Sequence, residues 1–177
     1  GSGTRILAQY LKLLGFHIGD HLNAALDNLT FTMMFKRRTI LDEPDEVFAA
    51  LADLFFAIMS RGGGAKTGEA EPILRHLIEC GDHDGHRRMS RGMARLRQLP
   101  ASDRVHAGWG WKAPNTHVVI DRMLRRRDDL VYIHVMRHAL DMAHSANQKQ
   151  LALWGSRFLG RQVEVNPRDS LAYWCAA

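Results

Sequence analysis

The stretch that most constrains the fold is 131–145, VYIHVMRHALDMAHS. Val131, Tyr132, Ile133, His134 and Val135 are mostly β-branched or aromatic. The run is too short for a helix and predicts a buried strand. Arg137 follows, and then a helix that carries Ser145 in its second turn. A strand feeding a helix is the unit of open α/β sheets, whose ligands bind in the crevice beyond the carboxyl ends of the strands. Arg137 would point into that crevice with a fork of donors that matches a phosphate, and Ser145 would add a hydroxyl. An ordinary βα unit whose arginine makes a local cap satisfies the same spacing.

The chain opens on Gly1, Ser2, Gly3, Thr4 and Arg5, which run into a helix with Leu7, Tyr10, Leu11 and Leu14 on one apolar face and Gly15 as its stop. A Gly/Ser/Thr loop at a helix start offers outward N–H groups, a positive dipole end and close backbone approach, and so suits an anion. A plain capped helix start is the alternative. Residues 16–19 form a short apolar run, a candidate strand, and Asp20 and His21 follow it. The segment LNAALDNLTF then predicts a helix that Asp20 would cap and that carries Asp27. Asn28-Leu29-Thr30 fits a glycosylation sequon, which matters only in a secreted chain. His17 and His21 have i, i+4 spacing but lack a third ligand, so no metal is assigned.

Glu43-Pro44 starts a helix with Phe48, Leu51, Phe55, Ile58 and Met59 on one face. The segment 61–67, RGGGAKT, imitates the end of a nucleotide-binding loop, but Ala65 stands where a glycine is needed and a helix precedes it. A short helix over 71–78 follows, with Ile73, Leu74, Leu77 and Ile78 inward. Cys80, His83 and His86 lie in a polar turn. The helix after them, over 85–99, sets Arg88, Arg91 and Arg95 on a separate face. Residues 108–112 read as a strand that ends at Lys112. Asn115 and Thr116 then open a helix with Val118, Val119, Ile120, Met123 and Leu124. The arginines at 125–127 form a solvated helix end. Asn166-Pro167-Arg168-Asp169 starts the last helix.

At 177 residues with 46% hydrophobic content, the chain is long enough for a real core and is expected to be one domain. No apolar run is long enough to cross a membrane. The net charge of +5 rests mainly on arginine, the side chain suited to bidentate phosphate and sulfate contacts. No basic stripe interleaves with aromatics, so nucleic acid is not the expected partner. Two cysteines make no disulfide framework, and a reducing cytoplasm is the default compartment. With no initiator Met and no helix stop at its end, the chain is expected to be a piece of a longer protein.

The strand, Arg137 and Ser145 together resemble the 3′-phosphate-binding element of sulfotransferases that use 3′-phosphoadenosine 5′-phosphosulfate (PAPS). GSGTR at the start and WKAPNT around Lys112 match the same family in the right order, so the resemblance runs from Gly1 to about Trp174. It implies an α/β fold, a three-layer P-loop NTPase-like parallel sheet, incomplete here and helix-rich, as one truncated domain over 1–177. It implies transfer of a sulfuryl group from PAPS to a hydroxyl or amine of a small molecule or glycan, with no metal. Ser2, Gly3, Thr4 and Arg5 would hold the 5′-phosphosulfate, although Gly1 stands where the family usually has Lys or Arg. Arg137 and Ser145 would hold the 3′-phosphate, and Lys112 would be the cation at the moving sulfonate. Asp20 or His21 would be the general base, with Asp27 a third candidate. The alternatives are a P-loop nucleotide kinase, for which no Gly-Lys-Ser/Thr loop or Mg²⁺-binding acid is placed, and a non-catalytic phosphate- or nucleotide-binding domain.

Overall fold

A computed structural model describes residues 3–61, 71–79, 90, 92, 94 and 105–177. Gly1, Ser2, the glycine-rich loop, the Cys80, His83 and His86 turn and the Arg88, Arg91 and Arg95 face lie outside the described residues. The chain divides into two compact units, Gly3–Leu130 and Val131–Ala177.

The first unit begins with α1 (Thr4–Leu13), β1 (Phe16–His17), α2 (Leu29–Phe35) and a 3₁₀ turn at Arg38–Leu41. It continues through α3 (Asp45–Arg61), α4 (Glu71–Glu79), β2 (Gly108–Trp109), a 3₁₀ turn at Thr116–Val118 and α5 (Ile120–Leu124). β1 and β2 pair in parallel, with Phe16 opposite Gly108 and His17 opposite Trp109. The ladder extends past both ends: Ala107 N–H donates to Gly15 O at 3.1 Å, and Gly110 N–H to His17 O at 2.9 Å. A Cβ at Gly108 would sit 2.7 Å from the Phe16 ring, so a side chain there would push that ring aside. A helix-rich α/β arrangement is thus observed, with one two-stranded parallel sheet among the described residues.

The core of this unit follows from the periodicity of α3. Phe48, Leu51, Phe55, Ile58 and Met59 share one helical face and are all buried. Against them pack Phe31, Met34 and Phe35 of α2, and Phe55 meets Trp111 edge-on at 5.2 Å between ring centroids. A charged knot closes the start of α3. Glu43 pairs with Arg37 and, at 3.3 Å, with His76 of α4. Burial would raise the Glu43 carboxyl, but Arg37 and His76 together hold it below the ordinary carboxylate range. Arg122 of α5 bonds the carbonyls of Ile40 and Glu43 and lies 4.0 Å over the Phe48 ring.

The second unit holds α6 (Ala139–Ala143), α7 (Lys149–Leu159) and α8 (Pro167–Ala176), with α8 packed on both of the others. Trp154 and Leu151 of α7 and Tyr173 of α8 are buried between them. The predicted start of α8 is in place: Asn166 accepts from Asp169 N–H at 2.8 Å, and Pro167 occupies the first turn. Arg161, with help from the Glu164 amide, holds the Asp169 carboxyl down to about 2.

Four local expectations are corrected. Residues 131–137 carry no regular structure, and Val131 is 87% exposed. A β-rich sequence becomes a strand only where another strand takes its backbone groups, and none does among the described residues. The helix expected to run through Ser145 to Trp154 breaks at 144–148. There Ser145 Oγ accepts from Asn147 N–H at 3.2 Å and Asn147 Oδ1 from Lys149 N–H at 3.3 Å, and both bonds compete with helical ones. Gln148 Nε2 bonds the carbonyls of Met142, Ala143 and Ser145 across the break. The helix expected from Leu22 starts only at Leu29, capped by Asn28 and not by Asp20. Finally, the face of α1 built from Leu7, Tyr10 and Leu14 is exposed, and Ala8 is the buried residue of that helix.

Candidate functional site

Because β1 and β2 are parallel, the segments leaving their carboxyl ends emerge at one edge. β1 leads into Ile18, Gly19, Asp20 and His21, and β2 leads into Gly110, Trp111 and Lys112. The two segments are bonded together, since Asn28 N–H donates to Lys112 O at 2.8 Å. Three of the residues singled out from sequence, Asp20, His21 and Lys112, thus belong to one edge of the sheet.

Asn28 organises this edge. Its side chain is 1% exposed and makes three bonds. Oδ1 accepts from Phe31 N–H at 2.8 Å, which caps α2, while Nδ2 reaches Ile18 O at 3.1 Å and Met59 Sδ at 3.3 Å. A buried side chain with these bonds is no acceptor for a glycan, so the sequon at Asn28 has a structural role in the folded chain. Gly19 makes room for it. Gly19 sits at φ 110°, and a Cβ on it would fall 2.3 Å from Asn28 Nδ2.

Lys112 is anchored, not presented as a lone cation. Its Nζ donates to Ala25 O at 3.2 Å and pairs with Asp27 Oδ1. Asp27 lies in the turn before α2 and not on a helix. Asn23 shapes that turn, accepting with Oδ1 from the amides of Ala25 and Asp27. Neither Asn23 nor the pairing of Asp27 with Lys112 was singled out from sequence. An asparagine two and four residues before the amides it would bind was the available signal.

Asp20 Oδ2 lies 3.9 Å from His17 Nε2, and the His17 ring lies 5.0 Å from that of His106, tilted by 41°. Burial lowers the His17 pKa, the Asp20 charge opposes that, and His106 adds to it. His21 accepts Leu29 N–H at 2.8 Å through its carbonyl. Among the described residues no group of three or more His, Cys, Asp and Glu is placed to hold a metal. Trp109 and Trp111 stack at 6.3 Å beside Lys112, and Arg127 lies 5.4 Å over the Trp109 ring.

At the chain start, Gly3 caps α1 in the left-handed region at φ 79° without a side-chain cap bond, and Ile6 N–H donates to Gly3 O at 2.9 Å. Thr4 and Arg5 are the first helical residues, and Arg5 is exposed. In the second unit, Arg137 and Ser145 flank α6, which is about 7.5 Å long at 1.5 Å per residue. Arg137 Nε is 3.6 Å from Asp141 Oδ2, and Arg137 O accepts from Trp174 Nε1 at 3.1 Å. Both flanking residues are half-buried. No helix among the described residues is long and apolar enough to cross a membrane. No family model, curated protein or solved structure matches the chain.

Proposed function

We propose that this chain is part of a sulfotransferase that moves a sulfuryl group from PAPS to a hydroxyl or amine of a small molecule or glycan. The observation that carries the reading is the parallel β1–β2 pair, whose carboxyl ends bring the Gly19-Asp20-His21 segment and Lys112 to one edge. Ligands of α/β sheets bind outside that edge. Sulfuryl transfer needs little covalent help from a protein. It needs donor and acceptor held in line, a base for the acceptor proton and cations where charge develops. Asp20 or His21 is the base in this reading, and Lys112 is the cation. Gly3, Thr4 and Arg5, with Ser2, hold the 5′-phosphosulfate at the start of α1, and Arg137 and Ser145 hold the 3′-phosphate. The fold that goes with the reading is the three-layer P-loop-like sheet, of which β1 and β2 would be two strands. The compartment is the cytoplasm, no metal takes part, and nucleic acid is not a partner.

The test is a competition titration on the full-length protein. 3′,5′-Adenosine bisphosphate should bind at least about tenfold more tightly than ATP, since one charged hydrogen bond to the 3′-phosphate is worth that much. Preference for ATP would support a nucleotide kinase, and indifference to both would support a binding module of another kind.

A further inference from the structure

The turn 23–27 is built around the Lys112 ammonium. An ammonium has three donors and no acceptor. Two of them are taken by Ala25 O and Asp27 Oδ1, and the third has no partner among the described residues. Asn23 sets both acceptors. Its Oδ1 accepts from the amides of Ala25 and Asp27, each at 2.9 Å, and its Nδ2 donates to Asp27 Oδ2 at 2.9 Å. The backbone closes the same turn, with Leu26 N–H on Asn23 O at 2.9 Å and Asn23 N–H on Asp27 O at 3.1 Å. The result holds Leu26 at φ 62°, the one left-handed residue other than glycine among those described. A leucine in that region costs energy and persists where its surroundings over-determine it. The pair is also withdrawn from water, the Lys112 side chain 14% and Asp27 18% exposed, so solvent screens it less than a surface pair.

We propose that Asn23 and Asp27 are positioning residues for Lys112: the turn takes two of its N–H groups and leaves the third for the oxygen that bridges sulfur and phosphorus in PAPS. The inference rests on Lys112 being the cation of the reaction centre. It also separates Asp27 from Asp20 as a base, because both Asp27 oxygens are already engaged.

The test is a set of double-mutant cycles on the full-length protein, with PAPS consumption and affinity for 3′,5′-adenosine bisphosphate as readouts. Lys112→Met should slow PAPS consumption about 100-fold. Asn23→Ala and Asp27→Asn should each slow it about tenfold with bisphosphate affinity nearly unchanged, as expected of an effect confined to the transition state. In the Lys112→Met background neither should cost more than about twofold, because residues that act through one group are not additive. Losses that multiply in the double variants would overturn the positioning role while leaving Lys112 its own. An unaltered rate for Lys112→Met, or a wild type that consumes no PAPS, would overturn the reading of Lys112 and this inference with it. If Asp27→Asn fails to fold, the Asn23→Ala cycle alone decides. A merely structural role would lower the melting temperature of Asn23→Ala without the coupling to Lys112.

Discussion

Gly19→Ala is expected to destabilise the protein by about 3–5 kcal/mol, a large share of the 5–15 kcal/mol that a domain usually has. Two independent costs combine. The backbone at Gly19 has φ 110°, where a side chain is strained whatever space surrounds it. The added methyl would also stand 2.3 Å from Asn28 Nδ2. Asn28 is buried, caps α2 and satisfies Ile18 O, so moving it removes a cap worth about 1 kcal/mol and strands buried polar groups at about 1–3 kcal/mol each. Two glycines serve as controls. Gly3→Ala meets open space and carries only the strain of φ 79°, about 1–2 kcal/mol. Gly110→Ala meets open space at an ordinary φ and should be close to neutral. Thermal melts should rank the three in that order. Equal melting of Gly19→Ala and wild type would show that Asn28 is not held as described.

Lys112→Met should lower PAPS turnover by about two orders of magnitude while changing the affinity for 3′,5′-adenosine bisphosphate by no more than about threefold. The asymmetry comes from where charge appears. The bisphosphate carries no sulfuryl group, whereas the transition state loads negative charge on the oxygen between sulfur and phosphorus. Single-turnover cleavage of labelled PAPS, with a panel of phenol, sugar and amine acceptors, measures the first quantity, and calorimetry the second. The same substitution leaves Asp27 without its partner, so some loss of stability is expected, and rates are compared on folded protein well below the melting range. A loss of affinity as large as the loss of rate would make Lys112 a ground-state binding residue.

Much of the first unit was legible. The α3 face from Phe48 to Met59 could be read because a long helix repeats its apolar positions over several turns; every residue of that face is buried, and Ala52 and Phe56 are buried beside it. The start of α8 was legible because an Asn cap followed by Pro leaves few alternatives. Strands expected over 16–19 and 108–112 form only at Phe16–His17 and Gly108–Trp109, and their pairing was not legible, since period and composition say nothing about partners. Where short polar side chains turn back on the backbone, the reading failed. Asn23 takes two amides that a helix would have used, and Ser145 and Asn147 do the same between α6 and α7. The segment 131–137 failed for another reason: strand composition is a property of the segment, but a strand is a property of a pair. In the candidate site, Lys112, Asp20 and His21 were named from sequence, whereas the Asn23–Asp27 brace depends on a contact across 85 residues.

The sharpest test of the sulfotransferase reading is the dependence of binding on the 3′-phosphate in the full-length protein. PAPS and adenosine 5′-phosphosulfate, which differ by that group alone, are titrated against wild type and Arg137→Ala. Arg137→Ala should weaken PAPS about ten- to a hundredfold, the value of one charged hydrogen bond to phosphate, and leave adenosine 5′-phosphosulfate unchanged. Equal weakening of both ligands would make Arg137 a structural residue and overturn the sulfotransferase reading.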